Sequence, residues 1–390
     1  MAIDRIAAVP FGGLRPPISG KKGSAEARSA SLFFHSGKKG FELQFHWIFV
    51  MIAGALILTF FFSVAQKQRE YSQEKLQLTL ATDIENIFTG AIASRGTAQT
   101  LPIPPQGIAF ECSEGCSCEF RIERAARQFG DKAMFAPEIL KDREIIVWSL
   151  ELKMPYRVTN LLYLTNPNIK YYFVNQEEGF SQSLLKQLTK NIPTLLQYEN
   201  ITLQALTSLQ AEDYQHTKFV FLNTEPSISL DDSFEKKSFS AIKVDQNGIT
   251  FYEKDDNKFS RIKYLSYIGL PSIYAAMFAQ DYVMYECGLR TAFRKLAYVS
   301  LLYAERAAEL QQKSFEAERD CDYGAPLGST DVCKDTLPST AVGMLCEQHT
   351  YGQLLANKLD DKFVARLSPL KEQLDSANRN FLAQSCPEMF

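Results

Sequence analysis

The side chains best able to do chemistry are eight cysteines: Cys112, Cys116, Cys118, Cys287, Cys321, Cys333, Cys346 and Cys386. Their number is even, and all follow a long apolar run. An oxidising compartment, into which thiols are carried and then paired, produces this distribution. The competing chemistry is metal binding. Only Cys112-x3-Cys116-x-Cys118 is tightly spaced, and no second C-x2-C pair completes a zinc ribbon. Disulfides are therefore expected and no metal is. Eight cysteines allow 105 pairings, so spacing assigns no bridge.

Other reactive types are dispersed. Of the four histidines, His35 and His46 lie at or before the apolar run, and His216 and His349 stand alone. His216 is close to Asp213, but a lone histidine reads as a surface residue. Asp231-Asp232 and Asp255-Asp256 fall in polar loops; paired acids can hold a hard cation or move protons, but solvated charge is their default. The nearest approach to a phosphate loop, Gly324-Ala-Pro-Leu-Gly328-Ser329-Thr330, has no lysine and too short a glycine spacing. G-x-S-x-G, H-E-x-x-H and a dinucleotide G-x-G-x-x-G after a strand are absent. No catalytic, cofactor-binding or metal-ligating residue is expected, and no cofactor. Asn200-Ile201-Thr202 is an N-glycosylation sequon.

The elements that must position these residues begin with a membrane anchor. Trp47 to Ala65 is uncharged, and at 1.5 Å per residue a helix of this length covers about 28 Å, the thickness of a bilayer core. Seven Lys/Arg against three acids in residues 1–65 give that end +4, which leaves −7 for the rest of a chain whose total is −3. The basic tail should stay cytoplasmic and the cysteine-bearing part should be extracytoplasmic. A mildly acidic main part argues against a nucleic-acid partner. Ser63-Val64-Ala65 also fits a signal-peptidase site, although the apolar run exceeds a signal peptide's usual length.

Beyond the anchor, Leu76, Leu80, Ile84, Ile87 and Ala91 form a helical stripe that continues the membrane helix as a rod. A hairpin is predicted from Ile108–Cys112 and Cys116–Ile122, turning through Ser113-Glu114-Gly115. Strands are predicted at 144–152, 170–174, 194–203 and 218–222, and a helix at 180–191. Phe239–Val244 and Ile249–Glu253 read as a hairpin around Asn247-Gly248. After Pro271 the chain is helical, with Leu289, Phe293, Leu296, Tyr303, Ala307 and Leu310 on one face. A second stripe, Phe363, Leu367, Leu370, Leu374, Ala377 and Phe381, could bind a partner or pack on the 289–313 helix.

The segment Gly37-Lys38-Lys39-Gly40-Phe41-Glu42-Leu43-Gln44-Phe45-His46-Trp47-Ile48-Phe49-Val50 resembles archaeal single-pass membrane proteins with a type IV pilin-like N-terminal anchor. The resemblance covers about thirty residues. It implies a cut between Gly40 and Phe41; the acid that pilins place fifth after the cut is here the second residue, Glu42.

The expected fold is α/β, a mixed sheet with flanking helices, plus an α-helical C-terminal part, preceded by one long N-terminal transmembrane helix. The expected organisation is a disordered basic tail (1–44), a transmembrane helix in the lipid bilayer (45–66), an amphipathic continuation (67–98), an α/β domain (105–268) and a disulfide-stapled helical region (269–390). The function this implies is interaction or assembly with protein partners in the cell envelope. The alternative is a membrane-tethered enzyme or small-ligand receptor with its site at the C-terminal ends of the strands.

Overall fold

A computed structural model describes residues 42–94, 96–176, 179–317, 319, 321–325, 331–334 and 336–390. The basic tail, and Gly40 and Phe41 of the expected cut, lie outside these residues. The chain divides into two units, 1–67 and 68–390.

In the first unit the described residues belong to helix α1 (Glu42–Ala93), whose apolar stretch from Trp47 is long enough to cross a membrane and has no buried side chain. Residues 68–93 of α1 belong to the second unit. The elements that follow are β1 (Ala98–Pro102), β2 (Ile108–Cys112), β3 (Cys118–Ile122), β4 (Ala125–Gln128), β5 (Met134–Phe135), β6 (Ile139–Leu140), β7 (Glu144–Lys153) and β8 (Arg157–Thr165). Then come β9 (Ile169–Asn175), α2 (Gly179–Asn191), β10 (Gln197–Thr202), α3 (Leu203–Leu206), β11 (His216–Leu222), β12 (Phe239–Val244), β13 (Ile249–Asp255) and β14 (Lys258–Leu265). Four helices end the chain: α4 (Gly269–Phe278), α5 (Tyr282–Glu316), α6 (Ala341–Asn357) and α7 (Asp361–Ala383).

The strands form three sheets, ordered β1-β7-β8-β5, β4-β3-β2-β6 and β10-β9-β11-β12-β13-β14. In the largest, β10, β9, β11 and β12 are parallel, and β13 and β14 return antiparallel. Alternation along these strands separates two cores. Tyr171, Phe173, Val220 and Ile242 join the main core shared with the helices. Tyr172, Val174, Phe219 and Phe221 face a smaller aromatic core closed by α3 and the turn at Phe234, where the Tyr172 and Phe219 rings stack at 5.5 Å.

The rod holds to the domain through a stripe shifted from the expected one. Ala81, Ile84, Phe88 and Ala91 are buried, whereas Leu76 and Ile87 are exposed. The stripe turns because Phe88 must meet the β2–β3 hairpin, lying 5.6 Å from Phe120 and 6.4 Å from Phe110. At the helix end Asn160 donates to Ile92 O (2.7 Å) and to Ser94 O, and Arg157 donates to Ala93 O (3.3 Å). These side chains satisfy carbonyls that a helix C-terminus leaves without partners.

Several expectations need correction. The second arm of the first hairpin begins at Cys118, because Cys116 adopts a left-handed φ of 61°. The strand expected at 194–203 is confined to Gln197–Thr202, with Thr202 capping α3. Strands β1, β4, β5, β6, β8 and β14 are additional to those expected. The stripe on α7 packs on α6 in the same chain, burying Leu367, Leu370, Leu374 and Phe381. The Asn247-Gly248 hairpin forms as expected, with Asp245 Oδ1 accepting from both turn amides at 2.9 Å. Helices α5 and α6 cross closely at Gly352, where a Cβ would stand 2.7 Å from Ala297 N.

All eight cysteines pair. Cys112–Cys118 closes the β2–β3 hairpin and Cys116–Cys287 fastens its turn to α5. Cys321–Cys386 and Cys333–Cys346 staple the segment between α5 and α6 to the C-terminus and to α6.

Candidate functional site

The site lies where α4 gives way to α5, against the N-terminal ends of β9, β11 and β12. The connection is only Ala279, Gln280 and Asp281. Asp281 caps α5 by accepting from Met284 N–H at 2.8 Å, and the Gln280 amide donates to Ala136 O at 2.7 Å. Together these bonds hold the connection against both neighbours.

Strand β11 supplies the chemistry. Its even-numbered side chains face the main core, so Lys218 shares a face with Val220 and Leu222 and stands opposite Tyr171 of β9 and Ser240 of β12. Lys218 is 3% exposed. The only hydrogen bond of its side chain among the described residues runs from Nζ to Ala279 O, 3.1 Å. That carbonyl lies at the C-terminal end of α4, where helix dipoles favour a cation. Burial pulls the Lys218 pKa down to about 8, against a smaller upward pull from Asp281. The ammonium is thus still mostly charged at neutral pH, with N–H donors in reserve.

Two residues earlier, His216 is half-buried rather than the surface residue its isolation implied. Nδ1 lies 2.8 Å from Ser238 Oγ and Nε2 lies 3.0 Å from Ser240 Oγ. Burial, helped by the charge of Lys218, drives its pKa down to about 3. A serine beside a histidine invites comparison with a nucleophile and its base. This imidazole is a poor base, however, and neither ring nitrogen meets a carboxylate that would orient it. The arrangement is that of a neutral, fixed histidine.

Around these groups is a cavity of about 590 Å³. Its apolar lining includes Tyr171, Phe251, Ile262, Met277 and Phe278; its polar lining includes His216, Lys218, Gln280 and Asp281. Gln280 donates from Nε2 to Asp281 Oδ2 at 3.3 Å, and its buried Oε1 has no partner among the described residues. Buried polar atoms are nearly always satisfied, so an orphan acceptor beside an under-used ammonium marks a place prepared for another molecule.

The position differs from the C-terminal strand ends at which doubly wound sheets hold ligands. There Glu225 is already engaged, accepting from Lys243 and, at 2.9 Å, from Tyr252 OH. Other sequence candidates are structural. Asp231 caps the turn at Ser233, Asp256 occupies the β13–β14 turn with φ of 55°, and His349 bonds from Nδ1 to Ala297 O at 2.8 Å. Asn200 is exposed on the edge strand β10, open to modification. Among the described residues no group of three or more His, Cys, Asp or Glu could hold a metal. Sequence reading missed Lys218 and Gln280. The one available signal was a lysine on the inward register of an otherwise apolar strand.

No protein-family model matches the chain, and no match was found among curated proteins or solved structures.

Proposed function

We propose that the protein is a membrane-anchored, extracytoplasmic receptor for a small organic ligand held between the parallel sheet and the α4–α5 connection. The observation that carries this reading is the buried Lys218 ammonium, with one hydrogen bond, at a cavity that also contains an unpartnered Gln280 oxygen. A volume of about 590 Å³ falls among ligand pockets of roughly 300–1,000 Å³. The neutral His216 and the missing base–carboxylate pair favour binding over hydrolysis.

The extracytoplasmic placement is supported by four disulfides that use every cysteine and by the basic residues ahead of α1. The first test is a thermal-shift panel of small acids, amines, sugars and nucleotides on the full chain in detergent. The reading requires at least one chemical class to raise Tm in the wild type and not in Lys218→Met. Silence across the panel would count against it.

Pilin-like assembly is a second reading, supported by the apolar stretch of α1 from Trp47, which follows the expected cut and is long enough to cross a membrane. Its test is the N-terminal peptide of protein recovered from native membranes. A start at Phe41 supports it and a start near Met1 removes it.

A further inference from the structure

We infer that the ligand is a zwitterion, a free amino acid with a large apolar side chain. This rests on the receptor reading above and specifies which chemistry the cavity recognises. Six charged side chains line it, but Glu138, Lys141 and Glu253 are exposed to water and Lys254 is bonded to the carbonyls of Phe234, Glu235 and Lys237, which leaves Lys218 and Asp281 as the opposite charges among its less exposed groups. They are separate groups: the ammonium is bonded to Ala279 O, while the carboxylate accepts from Met284 N–H and Gln280 Nε2. Beside the cation are unused donors, and beside the carboxylate is the unpartnered Gln280 Oε1, an acceptor only.

Each simpler ligand leaves one of these groups unserved. A plain carboxylate would engage Lys218 but bring a second negative charge toward Asp281 and leave the Gln280 oxygen buried without a donor. A plain amine would satisfy Gln280 and Asp281 but add a cation next to the buried ammonium. A phosphate dianion would meet one buried cation, since Lys141 is exposed and Lys254 is already bonded to backbone carbonyls, and the Asp281 carboxylate beside it, too little positive charge to replace its water. A molecule carrying both a carboxylate and an ammonium matches the cavity's own charge pair and satisfies both orphan capacities. Lys218 and Gln280 are brought close through Ala279, so the ligand's charges must be close together, as they are on one carbon. The aromatic lining of Tyr171, Phe251 and Phe278 then receives an apolar side chain.

The test is calorimetric titration of the full chain in nanodiscs with L-phenylalanine and L-leucine, with 3-phenylpropanoate, which lacks the amine, and with 2-phenylethylamine, which lacks the acid. An amino acid should bind, and each truncated analogue should bind at least about tenfold more weakly, as the loss of a charge-assisted hydrogen bond requires. Two variants locate the groups. Lys218→Met should abolish the advantage of the amino acid over the amine. Gln280→Leu should weaken the amino acid and leave 3-phenylpropanoate unchanged, a pattern that a folding defect would not produce. If 3-phenylpropanoate binds as tightly as phenylalanine, the zwitterion inference fails and the receptor reading stands. If amino acids are silent while another class on the thermal-shift panel binds, the same is true. If every probe is silent, both fail.

Discussion

Replacing Lys218 by Met should make the protein more stable while removing its ligand. The side chain is 3% exposed and its folded pKa is about 8, against 10.5 for a free lysine. Burial disfavours the charged form, so at neutral pH the native state carries an ammonium it holds poorly. Each tenfold loss of proton affinity corresponds to about 1.4 kcal/mol, which makes the cost about 3 kcal/mol at pH 7. Methionine has nearly the same length and fills the same space with no charge to desolvate. The pH dependence gives the sign. Between about pH 8 and 10.5 the unfolded chain keeps a proton that the native lysine has released, so wild-type stability rises relative to the variant as pH increases. The advantage of Lys218→Met should therefore be about 3 kcal/mol at pH 7 and shrink to about 1 kcal/mol at pH 10. Urea unfolding of both proteins in the same detergent, followed by tryptophan fluorescence and repeated across that range, measures the difference. A variant destabilised by the same amount at every pH would refute the reasoning, because it would mean that the lysine is satisfied by the fold itself.

Other consequences can be checked in parallel. His216, with a folded pKa of about 3, takes up its proton in the unfolded chain first, so native stability should fall as pH drops below about 6.5, by about 2 kcal/mol at pH 5. His216→Gln should lack this component, and the wild-type ring proton shifts should stay flat down to pH 5 by NMR. Alkylation of unfolded protein without reductant should label none of the eight cysteines; labelled thiols would contradict the pairing. Replacing Cys116 and Cys287 by Ser opens the longest of the four loops, at 171 residues of separation, and should cost about 2–5 kcal/mol in chemical denaturation. Gly352→Ala places a methyl carbon 2.7 Å from backbone of the facing helix and should cost about 1–3 kcal/mol, read as a lowered urea midpoint.

What could be read from the sequence was local. The apolar run of α1 needs only its own length and composition to be recognised, and the Asn247-Gly248 hairpin needs only turn chemistry between two alternating segments. Strand β8 escaped because Asn160 interrupts its apolar pattern. Asn160 is nonetheless 1% exposed, since its amide caps the end of α1, 68 residues earlier. That partnership is tertiary and leaves no trace in spacing. The same holds for α7, whose stripe was visible while its receiving surface on α6 was not. At the candidate site Lys218 sits on a strand and Gln280 in a helix connection, and Lys218 meets Ala279, 61 residues away. His216 looked isolated because its two serine partners, Ser238 just before β12 and Ser240 within it, come 22 and 24 residues on. Apart from the inward register of Lys218, nothing in any one segment marks these residues, and it is the parallel pairing of β9, β11 and β12 that assembles them.

The most direct test of the central claim is native mass spectrometry of the full-length protein released from its own membranes. A small-molecule adduct that leaves on mild activation, and is absent from Lys218→Met prepared in the same way, is the predicted result. A bare protein mass in both, with no small molecule restoring an adduct on addition, would contradict the account and return the domain to a purely structural role in the envelope.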